Sequence, residues 1–258
     1  MLVFFAAALL AASTFAQSEE VPVFRASCPF RALCCRFFQP LALHVTPQVP
    51  QPAAGSRVNS AATLEQVLAL LDRTSANFRS LQTDFEWDQY EKVVDQHDIQ
   101  RGVMYFRRAG NNVDVAADIQ QPEHKKLLFA GTDVQVYSFR THQVTSYPSK
   151  NRDEIESFLA LGFGGRGSDL KKNFELRYAG IETIDGRATY KLELTPKSQK
   201  VRGMFRFVIL WIDQQTGMSL QQKAMEGEYD YRLAKYPFAS MKVNPQKLPA
   251  DAFKLEGR

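Results

Sequence analysis

The chain lacks cysteine after residue 35. All three of its cysteines, Cys28, Cys34 and Cys35, lie near the start of its 258 residues. A cysteine-free body suits an oxidising compartment. No fourth ligand lies at a suitable spacing to complete a metal site with the three thiols. A linker or unstructured tail is therefore the favoured interpretation of residues 17–60, which six prolines interrupt.

The sequence also lacks a block of basic residues. Lys and Arg number 32 against 28 Asp and Glu, which gives a net charge of +4. Four arginines and two glutamates in residues 1–60 supply +2 of that charge, so the rest of the chain is nearly neutral. Proteins that bind phosphate backbones concentrate Lys and Arg on one face. We therefore expect no nucleic-acid partner.

Motifs for catalysis or for a resident metal are missing as well. None of the four histidines lies at metal-ligand spacing from another His or a Cys. The stretch 95–98 could hold a cation weakly, but it lies where a hairpin turn belongs. Gly162–Gly167 follows a predicted helix rather than a strand and has no Lys-Ser or Lys-Thr, so a mobile connector is favoured over a phosphate loop. We expect no enzyme activity and no cofactor or metal.

The apolar run at residues 1–16 is too short to span a bilayer, which needs about 20 apolar residues. Its small residues before Ala16 resemble an export signal that is cut after that residue. No Lys or Arg precedes the run, so an atypical signal and a misassigned start both remain open. The predicted organisation is a signal at 1–16, a linker at 17–60 and one folded domain at 61–258.

The folded domain begins with a helical pattern and then changes to a strand pattern. Thr63 and Gln66 form a capping-box pair, and apolar residues recur at helical spacing to about Ser80. Alternating residues and polar turns then predict about ten or eleven strands, interrupted by a short helix at 153–161. A single curled antiparallel sheet, forming an incomplete barrel with helices as a lid, is the predicted mainly β fold.

Two strands define the apolar surface of this predicted sheet. In the stretch 113–119, Val113, Val115, Ala117 and Ile119 share one face. The stretch 204–212 is apolar on both faces, with Phe207, Ile209 and Trp211 on one of them. Such a surface is either ordinary core or a concave face that receives lipid, and the aromatic content of 19 Phe, 9 Tyr and 2 Trp is compatible with both.

From Ala61 to Phe253 the chain resembles the LolA family of periplasmic lipoprotein carriers. The resemblance depends on several short matches in the same order, which are Phe78–Phe85, Gly102–Arg108, Gln121-Pro122 followed by Lys126–Thr132, Phe158–Gly162, Tyr190–Lys197 and Ala252–Leu255. There are departures from the family pattern. Ala109 replaces the usual Pro, Trp87 replaces a common Gln, and 17–60 has no counterpart.

The resemblance implies a monomeric periplasmic protein that binds the acyl chains of a lipoprotein in a hydrophobic cavity. An inner-membrane release complex would load it and an outer-membrane acceptor would unload it. The alternative is a module on the same fold that senses envelope lipids or lipoproteins without transporting them.

One residue takes a role from the resemblance. Arg108 corresponds to a strand arginine that binds lid backbone and keeps the empty protein closed, although the adjacent Arg107 could be the matching residue. A guanidinium has five donors for the carbonyls at such a position. The residues predicted to line the cavity are Phe85, Met104, Phe106, Val113, Val115, Ala117, Ile119, Phe158, Leu159, Phe207, Ile209 and Trp211.

Overall fold

The computed structural model describes residues 60–110, 112–130, 133–148 and 161–255. The predicted export signal and all but the last residue of the predicted linker lie outside these ranges. The described helices are α1 (Ser60–Asn77), α2 (Gly167–Asn173) and α3 (Gln199–Arg202), with a 3₁₀ turn at Phe238–Ser240. The described strands are β1 (Ser80–Glu91), β2 (Gln96–Ala109), β3 (Asn112–Gln121), β4 (Lys125–Ala130), β5 (Asp133–Ser138), β6 (Gln143–Pro148), β7 (Phe174–Ile184), β8 (Arg187–Pro196), β9 (Phe207–Asp213), β10 (Ser219–Met225), β11 (Tyr231–Lys235) and β12 (Lys242–Val243).

All twelve described strands belong to one antiparallel sheet. Its order is β6-β5-β4-β3-β2-β1-β11-β10-β9-β8-β7, and β12 pairs with β1 beside β11. The edge strands β6 and β7 are consecutive among the described strands, and the sheet is not closed between them. This confirms the predicted fold class. Twelve strands are one or two more than the expected ten or eleven. The shortest of the twelve is β12, with two residues.

Strand β1 joins the two parts of the sheet. One of its edges pairs with β2 from Ser80 to Glu91. Its other edge is divided, because Leu81 pairs with β12 while residues 86–90 pair with β11. Strands β11 and β12, from the C-terminal part of the chain, therefore pair with β1, which is the first described strand along the chain. These pairings between residues far apart in the sequence hold the two parts of the sheet together.

The inner face of the sheet carries two clusters of buried apolar side chains. The first cluster lies mainly on β1 to β5 and the second mainly on β7 to β10. The first cluster comprises Phe78, Leu81, Phe85, Met104, Phe106, Val113, Val115, Ala117, Ile119, Phe129, Val134, Val136, Phe163, Met218 and Tyr236. The second comprises Val67, Leu68, Leu71, Leu161, Leu170, Phe174, Leu192, Leu194, Phe205, Val208, Leu210, Ile212 and Ala224.

Helix α1 covers the second cluster. Its apolar residues Val67, Leu68 and Leu71 fall on one face at the spacing that predicted the helix, and each is at most 3% exposed. The observed helix ends at Asn77 rather than near Ser80, because Ser80 already pairs with Arg107 in the sheet. The Asp72 carboxylate accepts a hydrogen bond of 2.9 Å from the Gly167 backbone N–H, which joins α1 to the start of α2.

The outer face of the sheet is covered where the C-terminal segment crosses it. Tyr105 and Ala116 pack there against Ala252, together with the partly buried Phe253. The Lys126 ammonium donates to the Asp251 carbonyl at 2.7 Å. Strand β3 is therefore buried on both faces. The alternation in 113–119 identified its inner face, but it gave no sign that a distant segment covers the outer one.

Candidate functional site

The centre of the first cluster is an aromatic contact made by Phe163. This side chain is fully buried. Its ring centroid lies 4.7 Å from that of Phe106 on β2 and 4.7 Å from that of Tyr236, which follows β11. Phe163 belongs to none of the strands, so a loop side chain packs here against side chains of the sheet. A ring in this position occupies space that an apolar ligand could take.

Phe163 belongs to a four-residue stretch, Leu161–Gly164, which we call the bridge segment. Its side chains divide between the two clusters, since Leu161 packs in the second and Phe163 in the first. Three of its carbonyls accept hydrogen bonds, two from β10 and one from α1. Leu161 O accepts from Gln222 Nε2 at 2.5 Å, Gly162 O from the Ser219 N–H at 3.0 Å, and Gly164 O from Ser75 Oγ at 2.7 Å.

The glycines of the bridge segment allow it to lie this close to its neighbours. Gly162 and Gly164 have φ angles of +75° and +74°, in the left-handed region that side chains disfavour. A Cβ on Gly164 would also lie 2.4 Å from the Phe78 ring. The sequence Gly162-Phe-Gly164 therefore lets Phe163 enter the cluster while the backbone on both sides turns.

Arg108 fixes the same segment from the end of β2. Its guanidinium donates to three backbone carbonyls, those of Phe78 at 3.0 Å, Ser75 at 3.1 Å and Gly164 at 3.0 Å. A further contact of 3.3 Å reaches Ser75 Oγ. One side chain thus joins β2, the C-terminal end of α1 and the bridge segment, and it satisfies carbonyls that the helix end leaves without intrahelical partners.

Strand alternation distinguishes Arg108 from Arg107, which the sequence left open. Arg107 points to the outer face, where it binds the Asp114 carboxylate at 3.0 Å and its guanidinium carbon lies 4.1 Å from the centre of the Phe253 ring. Only Arg108 contacts the bridge segment.

A buried hydroxyl lies inside the otherwise apolar first cluster. Tyr236 is 4% exposed, and this burial raises the pKa of its hydroxyl far above the usual range. A hydrogen bond with Trp87 lowers the same pKa, but by less than burial raises it. Trp87 packs partly against the first cluster, and its ring lies 4.3 Å from that of Phe85. The tyrosine therefore stays neutral and donates or accepts hydrogen bonds rather than carrying charge.

The structure brings together seven of the predicted lining residues in the first cluster. They are Phe85, Met104, Phe106, Val113, Val115, Ala117 and Ile119. Phe158 and Leu159 lie outside the described residues. The clustering places the seven on one inner surface, and their contact with a ligand stays a prediction.

The placement of the other three lining residues on that surface is wrong. On β9 it is Val208, Leu210 and Ile212 that face the inner clusters. Phe207, Ile209 and Trp211 point to the outer face, where the Trp211 indole donates to Glu182 and Lys191 Nζ lies 5.2 Å from its ring centre. Because β9 is apolar on both faces, alternation alone could not say which face would meet the core.

Sequence reasoning missed the residues that hold the bridge segment. The sequence analysis singled out neither Ser75 nor Ser219, and it predicted that Gly162–Gly167, which contains Phe163, is a mobile connector. The available signal was an aromatic residue between two glycines. Apolar side chains under loops commonly form clusters with the residues that the loop crosses.

The described residues contain no group of three or more His, Cys, Asp or Glu side chains arranged to hold a metal ion. The hairpin turn, expected at 95–98, lies at 92–95, and residues 96–98 already belong to β2. The His97 ring lies 2.8 Å from the Asp88 carboxylate. No helix within the described ranges has both the length and the apolar character to cross a membrane.

Comparison with known proteins identifies the fold and the family. No curated protein is significantly similar to the chain in sequence. The crystal structure of MucB matches with a TM-score of 0.50 and 14% identity, over 76% of this chain and 64% of MucB, so the chain spans less than two thirds of that protein. The lipoprotein LppX of Mycobacterium tuberculosis matches with a TM-score of 0.44 and 14% identity, over 69% of this chain and 94% of LppX.

The family model described as outer membrane lipoprotein carrier protein LolA matches residues 76–256. That range contains β1 to β12, the bridge segment and Arg108. Since the match covers well over half of the chain, the protein belongs to the LolA family.

Proposed function

We propose that the protein is a periplasmic carrier that binds the acyl chains of a lipoprotein against the first cluster and releases them at the outer membrane. The observation that carries the proposal is the bridge segment. It places Phe163 among Phe106 and Tyr236 but is itself held through a few backbone carbonyls. In this scheme the acyl chain takes the place of the Phe163 ring.

The energetics of the exchange favour reversible binding. Burying an acyl chain contributes about 0.8 kcal/mol per CH₂. Lifting the bridge segment breaks its hydrogen bonds and removes one aromatic ring from the core, which offsets part of that gain. A carrier must also release its cargo, and a closed state that competes with the ligand lowers the affinity enough to permit transfer.

Membership of the LolA family supports the wider proposal. An inner-membrane release complex would load the protein, and an outer-membrane acceptor would receive the lipoprotein. The chemistry of the first cluster agrees with binding rather than catalysis, since its members are apolar apart from the hydroxyl of Tyr236 and the thioethers of Met104 and Met218.

The two tryptophans allow binding to be assigned to one half of the sheet. Trp87 borders the first cluster, whereas Trp211 lies on the outer face of β9. We expect a lauroyl lipid to change the emission of the Trp211→Phe variant, which retains Trp87. It should leave the emission of Trp87→Phe almost unchanged. Saturation at one lipid per chain would support the proposal. A response from Trp211 alone, or no binding by either variant, would contradict it.

Arg108→Leu tests the latch. This variant loses the charge-assisted hydrogen bond to Gly164, while Ser75 Oγ still binds the same carbonyl. Such a bond contributes about 1.5–3 kcal/mol, so we expect lipid to dissociate roughly 10- to 150-fold more slowly. Stopped-flow transfer to acceptor vesicles measures this rate.

Arg107→Leu is the matched control for Arg108→Leu. It removes an adjacent arginine that faces the outer surface, and it should leave the release rate unchanged. Equal effects of the two substitutions, in variants with normal unfolding temperatures, would rule out a specific latch. Binding without transfer to acceptor vesicles by the unaltered protein would favour a lipid-sensing module instead of a carrier.

A further inference from the structure

The inner face changes character toward the β1–β2 turn. On β2 the inward positions are Phe106, Met104 and Gly102, and the next is Gln100, which pairs with Trp87 on β1. In the following row Gln89 lies between Asp98 of β2 and Arg232 of β11. The apolar surface of the first cluster therefore ends in a row of polar side chains, at the end of the strands remote from Arg108.

One atom of this polar row is a buried acceptor that has no partner within the described ranges. It is Oε1 of Gln100. The nitrogen of the same amide lies 3.4 Å from Asp98 Oδ2. A carboxylate only accepts hydrogen bonds, so the amide nitrogen rather than the oxygen faces Asp98. Buried polar atoms in native proteins almost always have partners, so this oxygen requires an explanation.

The polar neighbours of Gln100 are already engaged with one another. Gln89 Nε2 donates to Glu91 at 3.1 Å, and Arg232 Nε donates to Glu226 at 2.5 Å. The Trp87 side chain hydrogen-bonds Tyr236. The other buried polar atom without a partner among the described residues, Gln214 Nε2, lies in the β9–β10 turn. Gln100 Oε1 is therefore a buried side-chain acceptor of the polar row that has no donor among the described residues.

The charges around this position favour a neutral ligand group. Asp98 and Glu226 lie on the polar row beside a single cation, Arg232, and Glu91 follows at the end of β1. Carboxylates in excess repel a phosphate or a free fatty-acid carboxylate. A neutral N–H or O–H group meets no such repulsion and can donate to Gln100 Oε1.

We propose that Gln100 binds the polar linkage of the lipid, and that this linkage carries a neutral hydrogen-bond donor. Two lipid classes have that chemistry, N-acyl amides and acylglycerols with a free hydroxyl. The acyl chain extends from Gln100 along β2 toward Arg108, a path of about 27 Å at about 3.4 Å per residue. This inference is based on the proposed function, since it assumes that lipid enters the first cluster.

Three probes with the same acyl chain separate the possibilities. N-lauroylglycine methyl ester has an amide N–H, monolauroylglycerol has hydroxyls, and methyl laurate has acceptors only. We expect the protein to bind at least one of the first two about two- to tenfold more tightly than methyl laurate, as measured by calorimetric titration. The tighter of the two identifies the class of linkage.

Gln100→Leu should remove that preference and leave the affinity for methyl laurate equal or higher. Gln89→Leu is the matched control and should keep the preference, because Gln89 has its own partner. Equal affinity of the unaltered protein for all three probes, or an equal loss for all three in Gln100→Leu, would overturn the proposed subsite while lipid binding stands. Binding of none of the probes would overturn the proposed function as well.

The protein without lipid gives an independent measurement. Gln100→Leu removes a buried acceptor that has no donor, and with it a long amide contact of 3.4 Å to Asp98, so its unfolding temperature should be close to that of the unaltered protein. Gln89→Leu loses a shorter hydrogen bond of 3.1 Å and serves as the control. A larger decrease in Gln100→Leu than in Gln89→Leu would show that the oxygen has a partner in the empty protein, and it would contradict the proposal.

Discussion

The second cluster is covered by a helix, whereas the described cover of the first cluster is the four-residue bridge segment. Helix α1 contributes Val67, Leu68 and Leu71 over successive turns. The bridge segment contributes one ring, that of Phe163, and is fastened mainly through backbone carbonyls. Removing α1 would expose a continuous apolar face, but lifting the bridge segment exposes the two side chains Leu161 and Phe163 and breaks a few hydrogen bonds. This difference is the reason for our proposal that ligand binds against the first cluster, while the second cluster has a structural role.

The strongest test of this comparison is Phe163→Ala. Truncating a buried Phe typically lowers the free energy of unfolding by about 3–5 kcal/mol. If lipid displaces this ring, the variant should also bind a lauroyl lipid at least about fivefold more tightly, since the competing closed state is weakened. Chemical denaturation and lipid titration measure the two effects. A variant that loses stability without gaining affinity would show that Phe163 is ordinary core.

Leu71→Ala is the corresponding change in the second cluster. Leu71 is 3% exposed, and we expect a loss of about 2–5 kcal/mol in the free energy of unfolding. Lipid affinity should not rise, because α1 stays in place when lipid binds. Leu70→Ala on the same helix serves as the control, since Leu70 is only partly buried and should lose less stability. A gain of lipid affinity in Leu71→Ala would abolish the distinction between the two halves.

The smallest expected effect is a pH dependence of the unfolding free energy that arises from Asp213, at the end of β9 beside the second cluster. Burial opposes ionisation of Asp213, but hydrogen bonds from Arg187 and Thr216 outweigh it and hold the pKa of this carboxyl below its usual value of 3.8. The folded state therefore gains stability from the ionised Asp213 above that value, and the gain is lost as the pH falls through the lower, folded pKa. We expect Asp213→Asn to be less stable at neutral pH.

The pH profile checks this assignment. Between neutral pH and the acid range, the unfolding free energy of Asp213→Asn should decrease less steeply than that of the unaltered protein. Parallel profiles would show that other groups cause the acid sensitivity. Comparing the emission of Trp87 and Trp211 during acid unfolding also reports whether the two halves unfold together.

Much of the first half was predictable from the sequence. Residues Val113, Val115, Ala117 and Ile119 alternate with polar or small residues, and such an alternation fixes which side chains share a face. The same parity places Met104, Phe106 and Arg108 together on β2. The helical spacing of Val67, Leu68 and Leu71 likewise predicted α1 and its buried face, though not the cluster that it covers.

The sequence by itself determined the local periods, and hence the elements and the side chains that share a face. Only the tertiary structure decided which face of β9 meets the core, which segment covers the outer face of β3, and where Phe163 packs. Each of these depends on contacts between residues far apart in the chain, which a period of two or 3.6 residues does not encode. The sequence identified Arg108 by resemblance alone. Its three carbonyl partners lie on separate segments that only the tertiary structure brings together, so the sequence could not name them.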